Sequence, residues 1–260
     1  MKAPSFAYAK PGSLAEAFDL LERPGAKILA GGQSLIPSLN LRLSAPEMLV
    51  DITGLDSLKG ITLEQAVVRI GALTTHSGIE RAPEIIKHIP LLAEAAQFVA
   101  HPAIRNRGTL GGSIALADPA AEYPACLVAL DATIVVRSKS GERLVKAEEF
   151  FKGLFEVDLR PGELVAAVEI TALLKDQRSV FLELARRQGD YAIVGLAGIS
   201  KQKERRLAFF GSGARPIVLR PGSLEEAKAS LPTPAADLYH TASTKLHLAK
   251  VLLDRAWNRL

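Results

Sequence analysis

The sequence predicts an α+β protein: a small βαβ unit, a larger α+β subdomain, then a C-terminal antiparallel sheet with helices. Three observations carry this expectation. Apolar residues make up 48% of the 260-residue chain, enough to bury a core and to exclude wholesale disorder. Strand, glycine turn, helix and strand follow one another between residues 26 and 52, the order of a βαβ unit. Past residue 175, short apolar runs alternate with charged turns, as in an antiparallel sheet, and two helical segments close the chain.

The elements follow in order. Ser13-Leu-Ala-Glu16 is a capping box: a hydroxyl stands at the N-cap and a glutamate three residues on. Its helix runs through Ala15, Phe18, Leu20 and Leu21 and stops at Arg23-Pro24-Gly25. A strand over 26–30 breaks at Gly31-Gly32. A helix over 35–43 tolerates Pro37 in its first turn, and a strand covers 48–52. Segments 60–63 and 66–71 read as two β segments turning at Glu64-Gln65. Residues 77–99 are helix-rich, with interruptions near Pro83 and Pro90. Strands are expected at 132–136 and 164–170, a helix before Asp131, and a loop around Gly153. The tail offers strands at 180–184, 193–199 and 207–210, a charged turn over 201–206, and helices at 223–229 and 244–259. The expected domains are 1–174, with subdomains of about 1–54 and 55–174, and 175–260, divided near Leu174-Lys175-Asp176.

Several function classes drop out. The chain carries 32 Lys+Arg against 28 Asp+Glu, with no block of like charge, which gives nucleic-acid binding little support. The single cysteine, Cys126, excludes an internal disulfide and a four-cysteine iron–sulfur or zinc site built from this chain alone. Cys126 itself sits in an apolar helical segment and reads as a small core residue. No apolar run approaches the ~18 residues of a membrane span, and the first residues show no apolar signal core. The expectation is a cytoplasmic protein. His76, His88, His101, His240 and His247 show no paired metal spacing and read as structural or solvated. Ser34 and Ser113 lack a histidine partner for a triad. Asp237, Lys245 and the basic run 201–206 read as solvated.

Two segments remain that can carry chemistry. Ala30-Gly-Gly-Gln-Ser34 lies directly after a strand and before a helix. Adjacent glycines adopt φ > 0 readily and let backbone amides approach an anion. Thr109-Leu-Gly-Gly-Ser113 repeats that logic with hydroxyls on both flanks. One Gly-Gly pair alone is a tight turn. Two pairs with flanking hydroxyls also fit a pair of loops gripping a diphosphate. Neither is Gly-x-Gly-x-x-Gly nor a Walker sequence, so the standard dinucleotide and P-loop readings fail.

The run Ala30-Gly-Gly-Gln-Ser-Leu-Ile-Pro37, with Leu41-Arg-Leu43 and Leu49-Val-Asp-Ile52, resembles the FAD-binding medium subunit of molybdenum hydroxylases, the group of carbon monoxide and xanthine dehydrogenases. The likeness continues in Ile70-Gly-Ala-Leu-Thr-Thr-His76 and Ile104-Arg-Asn-Arg-Gly-Thr-Leu-Gly-Gly-Ser-Ile-Ala115. It runs on through Asp118-Pro-Ala-Ala-Glu122, Arg187-Gln-Gly-Asp-Tyr-Ala-Ile193 and His247-Leu-Ala-Lys-Val-Leu-Leu253, and so spans nearly the whole chain.

This resemblance implies an FAD lying between the two N-terminal subdomains. Its diphosphate would be held by residues 30–34 (Ala30, Gly31, Gly32, Gln33, Ser34) and 109–113 (with Thr109, Gly111, Gly112 and Ser113), with Leu35 beside them in the cofactor site. Glu122 stands where the family has an acidic residue on the adenosine part; a solvated helix acid is the plain alternative. Val99 and Ile104 match apolar positions lining the flavin, and Leu164 and Val165 a strand beside it, although all four suit an ordinary core. Tyr191 matches a position near the isoalloxazine ring, or is an ordinary packed tyrosine. Glu183 departs from the family, which often carries lysine there.

The resemblance further implies an electron-transfer subunit with FAD as its only cofactor and no acid, base or nucleophile of its own. The [2Fe–2S] clusters would belong to a small partner subunit and the molybdopterin to a large one, in a dimer of heterotrimers serving an external acceptor. A stand-alone flavin oxidoreductase and a flavin-less scaffold are the alternatives. The substrate is not encoded in this chain.

Overall fold

The computed structural model describes residues 2–260. The first unit comprises β1 (Ala7–Ala9), α1 (Leu14–Leu21), β2 (Ala26–Leu29), α2 (Leu35–Asn40) and β3 (Met48–Asp51). Ser13 caps α1, its hydroxyl accepting from the Glu16 amide at 3.2 Å. The three strands form a parallel sheet in the order β1-β3-β2, so β2-α2-β3 is the expected βαβ unit. Strand β1 escaped the sequence reading: three residues on a sheet edge show no usable period.

A 3-10 turn (Asp56–Leu58) leads to β4 (Ile61–Glu64) and β5 (Val67–Gly71). The hairpin turns at Gln65 and Ala66, both at positive φ, as a two-residue loop matched to strand twist requires. Helices α3 (His76–Arg81), α4 (Pro83–His88) and α5 (Pro90–Ala96) follow. Pro83 and Pro90 each open a helix rather than break one, since a first-turn residue needs no N–H. Next come α6 (Pro102–Arg105), α7 (Leu110–Leu116), α8 (Glu122–Ala129), β6 (Thr133–Ser138) and β7 (Gly141–Lys146). Then follow α9 (Ala147–Phe150), the small hairpin β8 (Phe151–Gly153) and β9 (Glu156–Val157), and β10 (Leu164–Thr171). The five longer strands pair antiparallel in the order β4-β5-β10-β6-β7.

The chain closes with β11 (Gln177–Leu184), β12 (Val194–Lys201), β13 (Glu204–Phe210), β14 (Ile217–Leu219), α10 (Leu224–Ala229) and α11 (Ala242–Trp257). Their antiparallel sheet is buried on both faces. Val180, Leu196, Leu207 and Phe209 pack with Leu252, Leu253 and Ala256 of α11. The alternate residues Phe181, Ala197, Ala208 and Phe210 join the cluster of Leu92, Leu127 and Ile134. That alternation follows from successive strand side chains pointing to opposite faces. The main apolar cluster therefore runs from the five-stranded region into the C-terminal sheet.

Three expectations are corrected. The charged turn is only Gln202-Lys203, because Lys201 ends β12 and Glu204 begins β13. Arg206 is not solvated: it donates to the Val128 carbonyl at 2.8 Å and pairs with Asp131 and Glu148. Lys245 is buried, its ammonium 2.7 Å from Asp237 and 3.2 Å from the Gly211 carbonyl. Periodicity cannot reveal partners that arrive from distant segments. Cys126 is wholly buried. No helix among the described residues is long and apolar enough to cross a membrane.

Candidate functional site

The two glycine motifs meet backbone to backbone. A Cβ on Gly31 would lie 2.2 Å from the Arg107 carbonyl oxygen and 2.7 Å from Gly108 Cα. Only glycine permits that approach. Gly32 has φ +72°, which turns the chain from β2 into α2 at little cost for a residue without Cβ. Gln33 folds back, donating its side-chain amide to the Gly31 carbonyl at 2.9 Å. The backbone amides of Gly31, Gly32, Gln33 and Ser34 donate to no group among the described residues. They form an available row of donors, with Ser34 exposed and Leu35 half-buried beside them.

The second motif is held differently. Thr75 and Thr109 make an isolated antiparallel bridge, with His76 N–H donating to Gly108 O and Leu110 N–H to Thr74 O, both at 3.0 Å. Gly111 N–H donates to the Ala72 carbonyl at 2.8 Å. The Thr109 hydroxyl caps α7 by accepting from Gly112 N–H at 3.1 Å, and Ser113 N–H returns to Thr109 O. Between 107 and 113, only the Thr109 amide lacks an internal acceptor. A Cβ on Gly112 would point at Thr109 Oγ1, 2.9 Å away, with Ala30 Cβ next at 3.9 Å. The exposed Gly112 thus faces the first motif. From sequence the two loops look equivalent, whereas the structure gives the first loop the free amides and the second a rigid capped turn.

Around this junction the other residues named from sequence are distributed unevenly. Val99 and Ile104 are half-buried on either side of the turn into α6. Strand β10 reaches the second motif through Ala72, whose amide donates to the Ala166 carbonyl at 2.9 Å. On that strand Leu164 and Val165 are 1% and 5% exposed, packed in the two neighbouring apolar clusters.

Glu122 opens α8 and is buried, not a solvated helix acid. Burial, with Asp118 adding repulsion, pushes its carboxyl up to about 7. Glu183 lines a cleft of about 340 Å³ with Gln97, Phe98, Arg187 and Gly189. Its Oε2 is buried without a partner, and burial followed by repulsion from Glu122 raises the carboxyl to about 8. Tyr191 is 72% exposed, which excludes an ordinary packed tyrosine. Local desolvation, then Asp118 and Glu122, raise its hydroxyl.

Of the two readings of His76, structural or solvated, the structure gives the first: it is part of this framework. It is buried, and a Cβ on Gly108 would lie 2.5 Å from its Nε2. Its ring tilts against Tyr123 at 5.3 Å between centroids. Burial, followed by the nearby Arg105 cation, lowers its pKa to about 4, so it supports the second loop as a neutral ring. Among the described residues no cluster of three or more His, Cys, Asp or Glu is arranged to hold a metal ion.

Comparison with known proteins shows the family of the chain. Residues 4–172 match the family described as the FAD binding domain in molybdopterin dehydrogenase. The chain is 43% identical over 225 residues to the 6-hydroxypseudooxynicotine dehydrogenase complex subunit alpha of Paenarthrobacter nicotinovorans, covering 84% of this chain and 76% of the relative. Its structure superposes on a chain of carbon monoxide dehydrogenase from Hydrogenophaga pseudoflava with a TM-score of 0.93 and 33% identity, over 100% of this chain and 98% of that one. A chain of quinoline 2-oxidoreductase from Pseudomonas putida 86 gives 0.92 at 36% identity, over 98% and 96%. The glycine junction lies within the matched segment, and the likeness extends through the C-terminal sheet and helices. The chain belongs to the FAD-binding subunits of the molybdenum hydroxylase family.

Proposed function

We propose that the junction of the two glycine motifs grips the FAD diphosphate and that the chain relays electrons within a larger complex. The observation that carries this reading is the row of free amides at 31–34 locked against the capped turn at 109–113. Each amide donating to a charged oxygen contributes roughly 1.5–3 kcal/mol. A Cβ on Gly32 would press on Leu29 and Ile36 at 3.2 Å, and one on Gly112 on Thr109 Oγ1 at 2.9 Å, so side chains at either position would disturb the junction. Ala30, Gly31, Gly32, Gln33, Ser34 and Leu35 then form one jaw; Thr109, Gly111, Gly112 and Ser113 form the other. Val99, Ile104 and the exposed Tyr191 supply apolar and aromatic contacts, Leu164 and Val165 back the site, and Glu122 accepts from cofactor hydroxyls.

When bound, FAD accepts electrons singly or in pairs and so links one-electron clusters to a two-electron acceptor. This chain positions that group and contributes no acid, base or nucleophile. A single cysteine cannot ligate two [2Fe–2S] clusters, so other chains must hold them; membership of the family supports a small iron–sulfur subunit and a large molybdopterin subunit as those partners, in a cytoplasmic dimer of heterotrimers. The boundary between a cofactor domain (1–174) and a C-terminal domain (175–260) falls where the chain passes from β10 to β11.

Gly32→Val and Gly112→Val in the purified complex test the site. Both are expected to lose FAD while three polypeptides still co-elute. Gly32→Val acts through its positive φ, which costs a branched residue roughly 1–2 kcal/mol, and Gly112→Val through its collision with Thr109 Oγ1. Full flavin occupancy in either variant would reduce that loop to a structural turn.

A further inference from the structure

Three main-chain carbonyls, those of Gln97, Val99 and Ala100, converge on one side-chain nitrogen. Arg105 Nη1 stands 3.5, 3.3 and 3.2 Å from them. Carbonyl dipoles aimed at one point repel one another, and a cation placed there offsets that repulsion. The turn that aims them is a special one, because Ala100 sits at φ +43°, a region that side chains with a Cβ rarely adopt. The same guanidinium is fixed from the other side. Arg105 Nε donates to Glu80 Oε2 at 3.1 Å, and both side chains are largely buried, at 14% and 23% exposure. Glu80 lies on α3, whose N-cap Thr75 makes the bridge to Thr109.

We propose that Arg105 is a positioning residue that sets the 97–100 turn, and Val99 with it, in register with the second glycine motif. The geometry stands without a ligand; its consequence for the flavin rests on the site proposed above. Lysine fits poorly here, since a point charge reaching Glu80 has no planar fork with which to meet the carbonyls.

The test uses the complete complex carrying Arg105→Gln, Arg105→Lys or Glu80→Gln. Hydrogen exchange at Phe98 and Ile104, whose amides flank the turn and donate to the Ala95 and His101 carbonyls, is expected to quicken about tenfold in Arg105→Gln, the loss of one charge-assisted bond, with lesser effects in the other two. FAD stoichiometry is expected to stay near that of the unmodified complex, because neither glycine loop is touched, while the flavin absorption bands and midpoint potential shift. Should Arg105→Gln fail to assemble, Glu80→Gln reads the same coupling with the arginine in place. Unchanged exchange and an unchanged flavin spectrum in the variants that assemble would overturn the proposal. A complex lacking flavin altogether would defeat the cofactor reading instead, and exchange at Phe98 and Ile104 would still report on Arg105.

Discussion

Gly31→Ala is the smallest change that separates the two glycine motifs. The added methyl would sit 2.2 Å from the Arg107 carbonyl oxygen and 2.9 Å from its carbon. Both neighbours are main chain, so no flexible side chain can yield. Restoring an ordinary contact requires the loops to part by about 1 Å, and overpacking of this kind costs about 1–3 kcal/mol. If both loops hold one diphosphate, that displacement falls on the bound state and FAD affinity drops roughly tenfold to a hundredfold. Titration of flavin-free protein with FAD, followed by flavin fluorescence, measures the change. Thermal unfolding of the flavin-free protein separates lost affinity from lost fold. Gly12→Ala is the control, because its Cβ would meet only the Glu16 carboxylate, 3.8 Å away. An FAD affinity for Gly31→Ala within twofold of the unmodified chain would refute the two-jaw site.

The remaining predictions concern the acidic corner beside it. In the native state Glu183 keeps a proton up to about pH 8, whereas a free glutamate releases it near 4.5. The folded chain therefore binds the extra proton between those values, and flavin-free stability falls as pH rises through them. Glu183→Gln removes that loss: it should gain about 2–4 kcal/mol on the unmodified chain between pH 5 and pH 9, the full shift being reduced for partial exposure. Parallel profiles of melting temperature against pH would refute this. Tyr191→Ala should retain FAD and leave the melting temperature unchanged, because the side chain is mostly exposed. Its expected effect is on flavin potential or reoxidation rate, and loss of FAD would show that Tyr191 holds the cofactor in place.

Local chemistry determined much of this protein before any tertiary contact was known. The capping box at Ser13, the prolines opening α4 and α5, and the alternating runs of β12 and β13 act through short-range geometry and side-chain periodicity, so they are legible in the chain itself. The two glycine motifs were legible too, as loops that admit close approach, and the string of motifs around them pointed to the family. Tertiary structure decided which glycine does what. Gly31 is required by the backbone of Arg107, 76 positions away, and Gly111 by the Cβ and carbonyl oxygen of Ala72. Only Gly32 answers to its own φ. It also decided that Lys245 and Arg206 are held by partners rather than by water, that Glu122 and Glu183 share a desolvated corner, and that Arg105 gathers three carbonyls. A sequence records residue types and spacings, whereas burial, charge pairing and backbone contact depend on which distant segments the fold brings within a few ångströms of each other.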